Sequence, residues 1–141
     1  MRYSVRGVLL PDYLCSSVTR TVKKSARTVW FYHINEDLYP ELWSIKKILE
    51  NHRADLAAIV LVNYFGLLDL NDIAGLIKKL DPRPLVIIDD VQNYYGFRPH
   101  LQRDFDYAFT SLRKWFEVPD GAIVHSQNGK RFSWTKRGAD Y

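Results

Sequence analysis

The feature of this sequence that most constrains its fold is a regular alternation of short apolar segments with longer segments of helical spacing, from residue 8 to residue 90. The clearest apolar segment, residues 56–62, has no polar side chain on either face, which is typical of a central parallel strand covered on both sides. Right-handed crossovers between such strands place helices on both faces of one sheet. The sequence therefore predicts an α/β fold with a mostly parallel sheet flanked by helices.

Each predicted element follows from its apolar period and from the turn residues beside it. Strands are predicted at residues 8–10, 29–34, 56–62, 85–89, 106–110 and 121–125, and helices at 14–24, from about Pro40 to about His52, and at 71–80. Residues 25–28 are predicted to separate the first helix from the second strand, Pro40 to lie in the first turn of the second helix, and Asn71 to cap the third. The inward-facing positions of the second and third helices are predicted to be Leu42, Ile45, Ile48 and Leu49, and Ile73, Leu76, Ile77 and Leu80.

The composition of the 141-residue chain excludes several classes of protein. Its single cysteine, Cys15, rules out an internal disulfide and a multi-cysteine metal site, so we expect a reduced, cytoplasmic setting. No apolar run approaches the roughly 20 residues of a membrane-spanning helix, so no membrane partner is expected. The net charge of +4 comes from interspersed charges, which leaves a nucleic-acid-binding module as the weakest alternative.

Two carboxylates stand at the end of the strand predicted at residues 85–89. Asp89 and Asp90 are adjacent, and neighbouring side chains on an extended strand point to opposite sides, so only one of them can face a pocket. The carboxyl ends of parallel strands form the crevice in which open α/β sheets bind ligands. Gln92 follows Asp89 by three residues and Asn93 follows Asp90 by three, so spacing does not choose between the two acids.

The next predicted strand ends in a hydroxyl and two cations, in the segment Ser111-Leu112-Arg113-Lys114. The Ser111 hydroxyl can bind an anion such as a phosphate. The Lys114 amine, if desolvated on the turn after the strand, can act as a nucleophile. An amine, an anion-binding hydroxyl and a carboxylate at neighbouring strand ends are the groups that pyridoxal phosphate requires. The sequence therefore indicates a pyridoxal-phosphate site.

Five segments carry a resemblance to a known family: Val-Leu-Leu-Pro-Asp-Tyr-Leu-Cys (8–15), Phe-Tyr-His-Ile-Asn-Glu-Asp-Leu (31–38), Val-Asn-Tyr-Phe-Gly (62–66), Ile-Ile-Asp-Asp-Val-Gln (87–92) and Ser-Leu-Arg-Lys-Trp-Phe-Glu-Val-Pro-Asp-Gly-Ala (111–122). In this order they resemble the DegT-type aminotransferases. These are fold-type I pyridoxal-phosphate enzymes, many of which transfer an amino group to a keto-sugar nucleotide. The resemblance covers residues 8–125 and implies part of the large domain of such an enzyme.

The resemblance implies a role for each candidate residue. Lys114 resembles the Schiff-base lysine, and Ser111 resembles a phosphate-binding serine. The pair Asp89/Asp90 resembles a Glu-Asp pair in the family, in which an acid holds the pyridine nitrogen. The family also has a Gln or His near the cofactor's phenolic oxygen, three residues after that acid, and Gln92 matches it if the acid is Asp89. Direct matching of the pair to Glu-Asp favours Asp90 instead. We lean to Asp89 and keep both. Asn63 and Tyr64 match a strand-end motif near the cofactor. Cys15 and Ser16 match a helix start that lines the site in relatives, although we expect Cys15 to lie in the core.

The resemblance also predicts an organisation and partners. Residues 1–125 match part of a large domain, and residues 126–141 read as a polar, basic tail. The glycine-rich phosphate-binding turn that precedes the first strand in the family has no counterpart here, so the alternative expectation is an inactive, truncated domain that keeps the fold and a partner-binding surface. If active, the protein is expected to use a small-molecule amino donor and keto acceptor. Self-association is expected, because the family forms homodimers.

Overall fold

A computed structural model describes residues 5–96 and 104–127, and its centre is one six-stranded sheet. The elements in chain order are β1 (Val5–Pro11), α1 (Ser16–Ser25), β2 (Ala26–Tyr32), α2 (Leu42–His52), β3 (Leu56–Val62), α3 (Asn71–Lys78), β4 (Leu85–Asp89), β5 (Tyr107–Ser111) and β6 (Ala122–Ser126). The strand order is β2-β1-β3-β4-β5-β6. The first five strands pair in parallel and β6 pairs antiparallel to β5, which confirms the predicted mostly parallel sheet.

Helices cover both faces of the sheet, as predicted. Alternate residues of β1 enter two different apolar clusters, Leu9 on one face and Leu10 on the other. The first cluster includes Ile45 of α2 and Ile77 of α3, whereas the second is joined by Val22 of α1. Because β3 is buried along both faces, it forms the centre of the core, as its unbroken apolar sequence predicted.

Several predicted boundaries are wrong. The segment predicted to break the chain at 25–28 is not a loop, because α1 ends at Ser25 and β2 begins at Ala26. Pro40 does not lie in α2: it forms an isolated bridge with Ile34, and the helix begins two residues later. Asn71 is the first residue of α3 rather than its cap, and its amide donates to Asp69 Oδ1 over 3.0 Å.

Two side chains predicted to face the core are exposed. Leu76 of α3 is 51% exposed and Leu42 of α2 is 38% exposed, whereas Ser44 of α2 is buried. Ser44 is accommodated because its hydroxyl donates to Glu41 O and accepts the amide of His33. The tail predicted at 126–141 begins inside β6, and residues 128–141 lie outside the described part of the chain.

At the amino ends of the strands, a buried carboxylate ties β4 to β5. Asp106 accepts two hydrogen bonds from the Arg83 guanidinium, of 2.8 and 3.0 Å, and one of 2.8 Å from the amide of Val86. Burial raises the pKa of the Asp106 carboxyl, but the bonds from Arg83 and Val86 outweigh it and hold the pKa below its ordinary value. This pair lies at the edge of the sheet opposite the one where the candidate site residues lie.

Candidate functional site

The carboxyl ends of β1, β3, β4 and β5 meet the beginning of α1 around a cavity of about 500 Å³. Open parallel sheets bind ligands at this edge. The residues that line the cavity are Tyr13, Leu14, Cys15, Ser17, Val18, Val62, Asn63, Tyr64, Phe65, Asp89, Val91, Gln92, Phe109, Ser111, Arg113 and Lys114. Five of the six residues proposed from the sequence are therefore brought together, and Asp90 is not part of this lining.

The adjacent carboxylates enter different environments. Asp89 lines the cavity and is only 3% exposed; its Oδ1 accepts the Val91 amide over 3.1 Å, and the described residues donate no hydrogen bond to its Oδ2. Asp90 is completely buried behind the cavity wall, where its Oδ1 accepts Nδ2 of Asn63 over 2.8 Å. Asp89 is therefore the carboxylate that a ligand in the cavity can reach.

Burial raises the pKa of the Asp89 carboxyl above its ordinary value. The hydrogen bond from Val91 and the positive charge of Lys114 act in the opposite direction, and the neighbouring charge of Asp90 adds to the rise. A cationic group placed in the cavity beside Asp89 would reverse the effect of burial, because it stabilises the ionised carboxylate. The site is thus arranged to receive a positively charged or proton-donating group.

Lys114 lies on the turn that follows β5. This turn is fixed by backbone hydrogen bonds from Leu112 to Gly121 and from Trp115 to Leu112, of 2.9 and 3.0 Å. Lys114 lines the cavity but is exposed, so the desolvation proposed from the sequence is not present in the structure. Its amine is accessible from the cavity and carries the charge that acts on Asp89.

Ser111 and Arg113 flank the same turn and also line the cavity. Ser111 is the last residue of β5 and is half-buried, whereas Arg113 is exposed. Within the described part of the chain, Arg113 forms no ion pair. A hydroxyl and a guanidinium on this wall can bind an anionic group, since both donate hydrogen bonds to anions.

The side-chain oxygens of Asn63 and Gln92 each accept a backbone amide of the loop that follows β3. Asn63 donates Nδ2 to Asp90, and its Oδ1 accepts the amide of Leu68 over 3.0 Å. Gln92 Oε1 accepts the amide of Phe65 over 3.3 Å. Both residues line the cavity, and both fasten the loop that follows β3 to the end of β4.

Two tyrosines also line the cavity: Tyr64, which the resemblance matched together with Asn63, and Tyr13, which was not proposed from the sequence. Tyr13 follows β1 and is 64% exposed, and its backbone carbonyl accepts the hydroxyl of buried Tyr64. The two rings lie 5.6 Å apart at 38°. Burial, followed by the charges of Asp12 and Asp89, raises the pKa of Tyr64. Tyr13 lies two residues after the end of β1, so attention to the residues that follow each strand could also have found it.

Cys15 was expected in the core although the resemblance matched it to a helix start that lines the site, and the core expectation is wrong. The residue is exposed at the start of α1 and lines the cavity, with Sγ 3.0 Å from Oγ of Ser17. The side-chain and backbone hydrogen bonds of Ser17 lower the pKa of the Cys15 thiol, and the Lys114 charge adds a smaller effect. The helical period at residues 14, 18 and 22 placed Cys15 close to the buried stripe, but α1 begins only at Ser16.

Comparison with known proteins shows similarity at the level of structure. No family model matches the chain, and no curated protein matches it in sequence. The solved structure of a DegT DnrJ EryC1 StrS aminotransferase from Brucella abortus superposes with a TM-score of 0.68 at 17% identity, over 89% of this chain and 36% of that one.

Two further solved structures give the same result. The ureidoglycine-glyoxylate aminotransferase of Bacillus subtilis has a TM-score of 0.64 at 17% identity, over 89% of this chain and 33% of that one. The histidinol-phosphate aminotransferase of Clostridium acetobutylicum has a TM-score of 0.62 at 14% identity, over 84% and 39%. The chain thus spans little more than a third of these proteins, and its fold is that of part of the large domain of fold-type I pyridoxal-phosphate transferases.

In the part of the chain that the structure describes, no helix combines the length and the apolar character that crossing a membrane requires.

Proposed function

We propose that this chain carries a pyridoxal-phosphate site of an aminotransferase, in which Lys114 forms the Schiff base with the cofactor and Asp89 binds its ring nitrogen. The observation that carries the proposal is that Asp89 and Lys114, 25 residues apart in sequence, line one cavity at the carboxyl ends of β4 and β5. A buried acid with one oxygen open to a cavity and an accessible amine are the two groups that this chemistry needs from a protein.

Asp89 fits the nitrogen of a pyridine ring. Its carboxyl is buried, its Oδ1 is held by the Val91 amide, and its Oδ2 is left for a donor in the cavity. An ionised Asp89 would keep a proton on the ring nitrogen, and that charged pair would in turn favour ionised Asp89. When bound, pyridoxal phosphate supplies an electron-withdrawing ring that stabilises negative charge on the substrate carbon bonded to the amino group.

Lys114 supplies an amine with two successive roles. Its position on a fixed turn and its open access from the cavity support covalent attachment to an aldehyde. The Lys114 amine would also be placed to move a proton at the substrate carbon, because it lines the same cavity.

The remaining lining supports binding of a flat, anionic cofactor. The Ser111 hydroxyl provides a hydrogen-bond donor for phosphate, as the sequence resemblance implied, and Gln92 lies beside the ring-binding acid. The exposed ring of Tyr13 offers a flat surface against which an aromatic ring can pack. Asn63 acts by holding Asp90 and the loop after β3 rather than by a free polar group.

The finer assignment remains part of the proposal. The order of the sequence motifs supports a DegT-type enzyme that transfers an amino group from a small-molecule donor to a keto-sugar or a similar acceptor. The alternative of an inactive remnant is not favoured, because the cavity retains both the acid and the lysine. Self-association, expected from the same resemblance, can be measured by sedimentation at several protein concentrations, where a monomer at every concentration would contradict it.

The proposal is tested by mixing the purified 141-residue protein with pyridoxal phosphate and recording absorbance. We expect a violet band that saturates with added cofactor, and a change in this band when an amino acid is added. Asn35→Ala, at a turn outside the cavity lining, serves as a control that should behave like the wild type. A spectrum equal to that of free cofactor at all protein concentrations would refute the proposal.

A further inference from the structure

The loop between β3 and α3 holds an aromatic residue in a backbone conformation that such residues avoid. Phe65 has φ of 57°, in the left-handed region, and the following Gly66 has φ of 73°. Glycine adopts this region freely, but for a bulky side chain it is an outlier. Outliers of this kind persist only where the surrounding structure imposes them, and they concentrate at ligand-binding positions.

Three polar side chains impose this conformation on the loop. Asn63 accepts the amides of Gly66 and Leu68 with its backbone and side-chain oxygens, over 3.3 and 3.0 Å. Gln92 accepts the amide of Phe65 itself. Asn93 fills the space beside Gly66, where an added Cβ would lie 2.4 Å from its Cγ. The loop is therefore fastened to the end of β4 on both sides of Phe65.

In this conformation Phe65 lies at the cavity instead of in the core. Phe65 lines the cavity and is 61% exposed, whereas Leu67, two residues later, is 81% exposed and is not part of the lining. Other apolar side chains of the lining include Tyr13, Leu14 and Val18. An exposed aromatic ring gains free energy when an apolar group displaces water from it, so a ligand with such a group would fit this wall.

We propose that Phe65 is a specificity-determining residue, which contacts a large apolar side chain on an amino-acid donor whose carboxylate pairs with Arg113. The inference rests on the proposed aminotransferase function and adds to it the chemical class of one substrate. Arg113 suits the carboxylate because it lines the same cavity and has no ion-pair partner in the described ranges. A donor with a charged or very small side chain would leave the ring of Phe65 in water.

The test measures binding of two carboxylates that cannot react, since both lack an amino group. The full chain is first saturated with pyridoxal phosphate, and its absorbance band is recorded. Calorimetric titrations then give the dissociation constants of 3-phenylpropionate and propionate. We expect wild type to bind 3-phenylpropionate at least about tenfold more tightly than propionate, as removal of an apolar contact of this size implies.

Two variants without the ring separate the contribution of the Phe65 side chain to ligand binding from that of the loop conformation. Phe65→Asn and Phe65→Gly remove the ring but tolerate the left-handed conformation, so the loop should keep its shape. Both should lose most of the preference for 3-phenylpropionate while binding propionate as wild type does. Phe65→Tyr, which keeps the ring, and Leu67→Ala, which removes an exposed apolar side chain outside the lining, should retain the preference.

The outcomes distinguish this inference from the proposed function. A wild-type protein without a cofactor band overturns both. If wild type shows the cofactor band but no preference for 3-phenylpropionate, the inference alone is overturned. The same holds if the preference persists in Phe65→Asn and Phe65→Gly. The inference is also overturned if Phe65→Asn instead abolishes self-association with ligand preference unchanged, because the ring then contacts a second copy of the chain.

Discussion

Asn63 and Asp90 are joined by a buried hydrogen bond, from Nδ2 to Oδ1, of 2.8 Å. The same asparagine accepts the amide of Leu68, and its own amide donates to the carbonyl of Asp89 over 3.0 Å. The bond therefore holds Asp90 behind the cavity wall and leaves Asp89, on the opposite side of the strand, as the acid that faces the cavity. We therefore expect Asp89 to bind the ligand and Asp90 to stabilise the fold, and single substitutions at the two positions can distinguish these roles.

Asp89→Asn should fold and lose cofactor affinity. The asparagine can still accept the Val91 amide, and it removes a buried charge, so we expect the free energy of unfolding at neutral pH to stay level or rise by about 1 kcal/mol. Affinity for pyridoxal phosphate should fall on the order of a hundredfold, since the ring nitrogen loses its anionic partner. Absorbance titration and urea denaturation measure the two quantities.

The effect of Asp89→Asn on the free energy of unfolding should depend on pH with a defined sign. Because burial raises the pKa of Asp89, the native state binds more protons than the unfolded state between the ordinary carboxyl pKa of about 4 and the raised value. The contribution of Asp89 to stability therefore decreases as pH rises through that window. The stability gain of Asp89→Asn over wild type should be absent below about pH 4 and should appear above it; an opposite trend would contradict the assignment.

Asp90→Asn provides the contrasting variant. Its Oδ1 accepts a buried bond from Asn63 and a longer one, of 3.4 Å, from Asn93, so the substitution disturbs a buried network. We expect a loss of about 2 kcal/mol in the free energy of unfolding, with cofactor affinity changed much less than in Asp89→Asn among the molecules that remain folded. Equal effects of the two substitutions on affinity would show that the acids are not separated in this way.

Arg83→Met should destabilise the protein by about 2 kcal/mol, because it leaves the Asp106 carboxylate buried without its main partner. The pKa of Asp106 is held below its ordinary value, so the stability it provides is present above about pH 4 and is lost as pH falls through the native pKa. The difference between variant and wild type should therefore narrow in acid. Urea titrations at several pH values measure it.

The control for Arg83→Met is a basic residue without such a partner. Arg53→Met, at an exposed position after α2, should change the free energy of unfolding by less than about 0.5 kcal/mol at each pH. A loss in Arg83→Met that does not vary with pH would indicate that the arginine acts through packing rather than through its charge.

Gly66→Ala should disturb the loop beside the cavity. The φ of 73° is unfavourable for alanine, and the added Cβ would lie 2.4 Å from Asn93. We expect a loss of about 2 kcal/mol in stability. Adding Asn93→Gly should recover only the part that comes from the close contact, because the backbone conformation stays unfavourable. Complete recovery in the double variant would show that the loop can abandon its left-handed conformation at no cost.

Much of the fold could be predicted from the sequence, because a strand that is buried on both faces appears as an unbroken run of apolar residues. The apolar run at 56–62 gave both bounds of β3, and the strand predicted at 85–89 coincides with β4. Boundaries at 25–28 and at Pro40 could not be predicted, since they depend on pairing with β1 and on a bridge to Ile34. Local propensity does not record such tertiary contacts.

The candidate site was predicted in outline but not in orientation. Alternation along a strand showed that Asp89 and Asp90 point in opposite directions, but which one faces the cavity depends on Asn63, 27 residues away. The exposure of Lys114 depends equally on how its turn lies against the sheet. The left-handed conformation of Phe65 gave no signal in the sequence, because residues of this type rarely adopt it.

The central claim is that Lys114 bonds covalently to pyridoxal phosphate within this chain. The most direct measurement is to incubate the protein with the cofactor, reduce the complex with borohydride, digest it and locate the added mass by peptide mass spectrometry. We predict stoichiometric labelling of Lys114 in wild type and none in Lys114→Ala, with exposed Lys79 unlabelled in both. Labelling spread over several surface lysines, or unchanged in amount in Lys114→Ala, would contradict the account.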